Sequence, residues 1–224
     1  MIDNLDEITE LDAEYKIILV GDNNTGKTCL FKKITSGEFS PQNVSTIGFD
    51  QKSIEFVITT NENIKKRINI ILVDTAGQKR YADLTKSYFK GCNGILLLYS
   101  IIDKNSFNNL SQWLEGVKNN IVNHEDNKYL IFLMGTKSDM VEKEEDKNLR
   151  EVTEDEAFDF CNNNNLLWYG ECSSKNCSKD LFLQIFGDFA KKLYETIGFN
   201  KIARDSLSTL DTKKTKKQKK HCSC

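Results

Sequence analysis

Apolar positions along the chain fall into two patterns. Unbroken runs at Ile95–Ile102 and Tyr129–Met134 predict strands buried on both faces, as in a parallel sheet. Residues 15–20 read as a further strand running into Gly21, and Leu166–Trp168 opens a shorter run that leads to Cys172. Two more strands, 49–59 and 67–74, flank the polar turn Asn61-Glu62-Asn63. Helical spacing governs roughly 80–90, 105–122, 154–163 and 179–194, and another helix, 27–36, opens at Lys27-Thr28. In the last segment Leu181, Ile185, Phe189 and Leu193 fall on one stripe, and Thr153 with Glu156 three positions later predicts a helix start. Strands alternating with amphipathic helices predict an α/β fold, a mostly parallel sheet covered on both faces. Asn-rich patches at 105–109, 119–127 and 162–165 read as loops or helix ends. Beyond about residue 195 the apolar signal thins, and residues 205–224 read as a disordered tail.

Composition changes this picture little, but charge placement changes it more. With 224 residues, 39 % hydrophobic and 29 % charged, the chain suits one sizeable soluble domain plus a tail. The net charge is only -2, yet residues 1–14 carry Asp3, Asp6, Glu7, Glu10, Asp12 and Glu14, while Lys213, Lys214, Lys216, Lys217, Lys219 and Lys220 crowd the end. A basic tail suits an anionic surface. The first residues show neither a basic leader nor an apolar run, which predicts no signal peptide, and no run reaches the ~20 apolar residues of a membrane span. A cytosolic chain with reduced thiols is expected. Cys29, Cys92, Cys161, Cys172 and Cys177 are scattered without Cys-x-x-Cys spacing and read as packed thiols rather than zinc ligands.

The chemistry concentrates in five short segments. Gly21-Asp22-Asn23-Asn24-Thr25-Gly26-Lys27-Thr28, between a strand and a helix, has the phosphate-loop pattern. Asn24, Thr25, Gly26, Lys27, Thr28 and Cys29 make up the candidate cradle, whose backbone N–H groups and helix N-terminus favour an anion. Lys27 is expected on the β- and γ-phosphate oxygens, and the Thr28 hydroxyl on Mg²⁺. Asp74, in Asp74-Thr75-Ala76-Gly77-Gln78 at a strand end, is a candidate metal holder, and the Gly77 N–H can sense a third phosphate. Thr46 sits in a polar loop, where its hydroxyl could complete the magnesium shell and order that loop.

Base selection is expected further along. In Thr136-Lys137-Ser138-Asp139, the Asp139 carboxylate can accept from N1–H and the 2-amino group of guanine, donors that adenine lacks. A buried carboxylate left unpaired is costly, so discrimination works by penalty as well as attraction. The Lys137 stem can cover one ring face and Phe39 can pack at the other side. Ser173-Ser174-Lys175 can offer backbone N–H groups to the guanine O6.

On these motifs, and on Thr46-Ile47-Gly48-Phe49-Asp50, Gln78-Lys79-Arg80-Tyr81, Tyr88-Phe89-Lys90-Gly91 and Glu171-Cys172-Ser173, the chain resembles the Rab family of small GTPases, within the Ras superfamily. The resemblance covers about residues 15–195, with residues 1–14 as an acidic extension and 196–224 as a variable tail. It implies a P-loop fold with a six-stranded sheet, one antiparallel edge strand and about five helices. It also implies a GTP hydrolase with Mg²⁺ as cofactor, in which Gln78, Lys27, Thr46 and Gly77 serve catalysis, Thr46 anchors one switch and residues 76–90 form another. Such enzymes are slow alone and gain roughly 10⁵-fold from an arginine supplied in trans. The implied partners are an exchange factor, a GTPase-activating protein, a GDP-dissociation inhibitor, an escort protein with a geranylgeranyl transferase, and membrane effectors that direct vesicle traffic. A monomer is expected, with no nucleic-acid partner.

The chain departs from the family pattern at named positions. Asn23 and Asn24 replace the usual small residues of the loop, which implies altered intrinsic hydrolysis. Thr136 replaces the usual Asn, keeping a tie to the cradle while losing an amide contact to guanine N7. Val73 stands for the usual Trp and Gln51 for the usual Phe, which implies a changed effector set. The closing Cys222-Ser223-Cys224 matches a double-geranylgeranyl signal, and two lipid chains give the stable anchoring that one does not. Two competing accounts are a hydrolysis-poor, GTP-bound membrane scaffold and an ATP-using phosphate-loop kinase. Asp139 and the lack of room for a lid weigh against the second.

Overall fold

The computed structural model describes residues 10–40, 49–75, 89, 91–121 and 128–198. Six strands form one sheet: β1 (Ala13–Val20), β2 (Phe49–Thr59), β3 (Lys65–Thr75), β4 (Gly94–Ser100), β5 (Leu130–Thr136) and β6 (Leu167–Cys172). The described helices are α1 (Lys27–Ser36), α2 (Lys104–Asn108), α3 (Leu110–Ile121), α4 (Glu154–Asn164) and α5 (Lys179–Ile197), with 3₁₀ turns at Ser138–Val141 and Glu144–Leu149. The sheet order is β2-β3-β1-β4-β5-β6, parallel throughout except for the antiparallel β2–β3 hairpin at one edge. This is the α/β phosphate-loop architecture expected from the sequence. The helix expected over 80–90 lies outside the described residues apart from Phe89, as does the tail.

Both faces of the sheet are covered, which explains the unbroken apolar runs of its inner strands. Tyr15, Ile17 and Leu19 of β1 face Leu30, Phe31 and Ile34 of α1 and the Phe residues of α5. Ile18 and Val20 point the other way, into a cluster with Leu110, Leu114 and Val117 of α3 and with Ala157 and Cys161 of α4. By contrast, β2 has a neighbour on one side only, and its first five residues, Phe49 to Ser53, are exposed. The helix start expected at Thr153 is a full capping box, in which Thr153 Oγ1 accepts from the Glu156 N–H and the Glu156 side chain accepts from the Thr153 N–H. Cys92, Cys161 and Cys172 are buried thiols, while Cys29 and Cys177 are half-buried. No helix among the described residues is long and apolar enough to cross a membrane.

Two sequence expectations need correction. The stripe on α5 holds only in part: Phe189 and Leu193 are fully buried and Ile185 packs half-buried against the core, but Leu181 is 42 % exposed, and Phe182 and Phe186 join the buried face instead. Apolar residues cover a wide arc of that helix, so spacing alone leaves the inward direction open. Aromatic packing marks the buried side: Phe186 packs on Phe189 with centroids 4.8 Å apart, and Phe189 in turn stacks on Phe132 at 4.4 Å and meets Tyr169 edge-on at 4.3 Å. The segment 105–122 is also two helices rather than one, with a break at Asn109. Asn is a weak helix former that takes other partners when they are offered. Here its side chain donates to Asp22 at 2.6 Å.

Phe186→Ala is therefore expected to lower unfolding free energy by about 3–5 kcal/mol. Leu181→Ala should change it by no more than about 0.5 kcal/mol. Urea denaturation of the two variants checks the phase of the helix, and a larger loss at Leu181 would reverse it.

Candidate functional site

The site begins where β1 cannot continue. Gly21 has φ +148°, and a Cβ there would lie 2.2 Å from the Leu98 carbonyl oxygen of β4, so only glycine fits. The chain then curls through Asn24 (φ 62°) and Gly26 (φ 85°) before α1 starts at Lys27. Asn is among the few side-chain-bearing residues that enter the left-handed region readily. Gly26 at the start of α1 has no side chain to cap the helix. Asn23 and Asn24 are exposed on the loop, and Thr25 is buried beneath it.

Lys27 is the charge at the centre of this loop. Its side chain is buried, and Nζ donates to the backbone carbonyls of Gly21 at 2.9 Å and Asp22 at 2.6 Å. Burial pushes its ammonium down to about 8, against the opposing pull of Asp74 and Asp22. Beside it, Thr28 Oγ1 donates to Asp74 Oδ2 at 2.7 Å, joining the start of α1 to the end of β3. Asp74 is 1 % exposed, and burial pushes its carboxyl up to about 6. Its Oδ1 is buried with no hydrogen-bond partner among the described residues. A hydroxyl and an orphaned buried carboxylate oxygen are hard donors, and they fit a small divalent cation such as Mg²⁺.

The second half of the site is built at the ends of β5 and β6. The Thr136 hydroxyl lies 2.8 Å from the carbonyl oxygens of both Thr25 and Tyr99, tying β5 to the loop and to β4. Lys137 follows in left-handed backbone (φ 66°), half-buried, and burial pushes its ammonium down. Asp139 sits in the following 3₁₀ turn, where its Oδ1 accepts from Ser173 Oγ at 2.7 Å. Ser173 Oγ in turn accepts from the N–H groups of Lys175 (3.1 Å) and Asn176 (3.0 Å). Ser174 is buried, Lys175 is exposed, and Phe39 beyond α1 is 38 % exposed. Cys29 occupies the first turn of α1, its Sγ 3.5 Å from the Ser40 carbonyl. Thr46, Gly77, Gln78, Cys222 and Cys224 lie outside the described residues.

The two loops emerge at the carboxyl ends of the parallel strands. From β1 the chain builds the sheet first toward β3 and later toward β4, so the crevice lies at the topological switch point where open α/β sheets bind ligands. Two anchors there have no local signal in the sequence. Asp22 accepts from Asn109 and from Trp113 Nε1 (2.7 Å), and Arg150 forms a bidentate pair with half-buried Glu171, 2.7 Å on each arm. Asp22 and Glu171 stood out in the sequence only as parts of a family pattern. Their partners were not legible.

A strand, a glycine-started loop and a helix holding a buried lysine beside a Thr–Asp pair define a phosphate-loop nucleotide-binding domain. The profile described as the Ras family matches residues 16–195. The Ras-related protein Rab-11B of Dictyostelium discoideum is 36 % identical over 189 residues, 77 % of this chain and 82 % of that protein. The Ras-related protein SEC4 of Saccharomyces cerevisiae is 34 % identical over 191 residues, covering 85 % and 80 %. The GTP-binding protein ypt1 of Schizosaccharomyces pombe is 32 % identical over 200 residues, covering 89 % and 90 %. This chain belongs to the Ras family of small GTPases, as a divergent member of its Rab branch. Membership implies guanine-nucleotide and Mg²⁺ binding and nucleotide hydrolase activity.

The Lys27 ammonium gives a pH prediction for the nucleotide-free protein. Its folded pKa lies below the unfolded value, so the unfolded chain holds more protons between about pH 8 and 10.5. Burying the charged form costs stability in full below pH 8, and that cost is relieved as pH rises through the window. The stability difference between wild type and Lys27→Met should therefore shift in favour of wild type by up to ~1.4 kcal/mol per pH unit above pH 8. Denaturation of both proteins from pH 7 to 10 reads this slope, and a flat difference would contradict it.

Proposed function

We propose that the chain is a Rab-type switch that binds GTP with Mg²⁺, hydrolyses it slowly to GDP and phosphate, and recruits effectors to membranes in its GTP state. The observation that carries this reading is the Thr136 hydroxyl on the Thr25 carbonyl, which joins a phosphate-binding loop to an Asp139 loop suited to guanine. In this reading residues 15–195 form the GTPase domain, residues 1–14 an acidic extension and 196–224 a tail that carries the anchor. The backbone from Asn24 to Cys29 holds the phosphates, and Lys27 moves its ammonium from loop carbonyls to phosphate oxygens. Thr28, Asp74 and Thr46 would hold Mg²⁺, which when bound neutralises charge on the phosphate oxygens. Gly77 donates its N–H to the third phosphate and Gln78 orients the attacking water. Thr136, Lys137, Asp139, Ser173, Ser174, Lys175 and Phe39 enclose the base.

Geranylgeranyl groups on Cys222 and Cys224 would anchor the tail to the cytosolic face of an endomembrane. Its six lysines add attraction of up to ~1 kcal/mol each near an anionic leaflet. An exchange factor, a GTPase-activating protein, a GDP-dissociation inhibitor and the escort protein with its prenyl transferase complete the expected partners. A hydrolysis-poor scaffold is favoured by one observation, the two exposed Asn side chains on the crest of the loop.

Titration of purified protein should show guanine nucleotides preferred over ATP by about 10³-fold or more, and Asp139→Ala should remove most of that preference. Equal affinity for GDP and ATP would refute the reading. In single-turnover assays, phosphate release should be slowed about tenfold or more by Gln78→Leu. Release too slow to be altered by that change would favour the scaffold.

Intact-mass measurement of protein from its native cells should find both Cys222 and Cys224 prenylated. A tail with no lipid would remove the anchoring part of the proposal and leave the nucleotide part intact.

A further inference from the structure

An aspartate in a phosphate-binding loop is an electrostatic liability, because its carboxylate repels the polyphosphate that the loop must hold. Asp22 is such a residue, one position after Gly21. Both of its carboxylate oxygens are occupied by neutral donors, Asn109 between α2 and α3 and Trp113 within α3. Oδ2 accepts from Asn109 Nδ2 at 2.6 Å and Oδ1 from Trp113 Nε1 at 2.7 Å. The backbone carbonyl of the same residue accepts from Lys27 Nζ at 2.6 Å and from Thr25 Oγ1 at 2.9 Å. One residue thus fixes the loop to the helix with its side chain and fixes the lysine with its main chain.

We propose that Asn109 and Trp113 act as a clamp that turns the Asp22 carboxylate away from the phosphates, and that Asp22 is a positioning residue for Lys27. The inference deepens the nucleotide-switch reading and rests on it. Asn109 lies one turn before Trp113, so both donors project from neighbouring turns onto one carboxylate. Each donor has a hydrogen to give and carries no charge, so the clamp orients the anion without cancelling it. If the clamp opens, the loop keeps a negative charge that is free to face the ligand.

The experiment measures GDP and GTP dissociation constants on the full-length chain, with thermal unfolding recorded in parallel. The double variant N109A/W113F should weaken both nucleotides by about 10–100-fold, of the order expected for a like charge turned toward a ligand. The weakening should shrink at high salt. Adding D22N to that double variant removes the freed charge and should restore most of the lost affinity, even though it restores no contact. A clamp with only a structural role predicts the opposite, with lowered thermal stability and no rescue by D22N, and that result would overturn the inference. Unchanged affinity in the double variant would overturn it as well. Should the double variant not fold, N109A with and without D22N is judged by the same criteria. If wild type itself shows no affinity for guanine nucleotides, the switch reading fails. If wild type binds and the variants behave otherwise than stated, only the clamp fails.

Discussion

The approach of Gly21 to the Leu98 carbonyl is the constraint on which the site depends. A side chain at that point would collide with β4, so β1 must end in a residue without one. The turn that follows presents the carbonyls of Gly21 and Asp22 to one side, where Lys27 returns from the first turn of α1 to meet them. Were the loop displaced from β4, the lysine would lose both acceptors, and Thr25 would lose its hold on Thr136. The sheet therefore supplies a rigid edge against which one short loop is pressed. Apolar packing on both faces keeps that edge still, with Ile17 and Leu19 of β1 locked on one side and Ile18 and Val20 on the other.

Much of this was legible in the sequence, and the parts that were not share a physical cause. Strands buried on both faces advertise themselves by unbroken apolar runs, so β4 and β5 were found within two residues of their ends. The Thr153–Glu156 cap was legible because its partners are three positions apart. Among candidate site residues, those inside contiguous motifs could be named, and the structure gathers Lys27, Thr28 and Asp74 at one strand edge and Asp139 with Ser173 at another. What stayed hidden depends on partners far along the chain. Asn109 and Trp113 are 87 and 91 residues from Asp22, and no periodicity links them. At the start of α5 the sequence pointed to Leu181, whereas Phe182 and Phe186 turn inward, because apolar residues ring too much of that helix for spacing to choose between them.

The two ends of the crevice are joined by a small group. The Thr136 hydroxyl has one proton and two acceptors at equal distance, Thr25 and Tyr99, so it holds the loop, β4 and β5 at a common point. An amide at this position would bring two donors and an acceptor, where a hydroxyl brings one donor and an oxygen that can also accept. Thr136 thus keeps the link to the loop, and in the proposed reading it gives up the reach an amide would have toward a base. Ser173 makes a similar economy on the other side, where one hydroxyl serves Asp139 as donor and two backbone N–H groups as acceptor.

Electrostatics explain why a site of this kind favours being filled. Burial acts on its two ionisable centres in opposite directions, raising Asp74 and lowering Lys27, so each charge is held against its own desolvation. The two lie close enough to relieve each other in part, yet Asp74 keeps an oxygen with no hydrogen-bond partner among the described residues. A bound polyphosphate would supply the negative charge that Lys27 lacks, and a divalent cation the positive charge that Asp74 lacks. Both would relieve the desolvation that the two buried groups carry. Ligand that binds only the folded form also stabilises it by mass action. In the proposed reading, the same two buried charges favour a nucleotide bound together with its cation over either one alone.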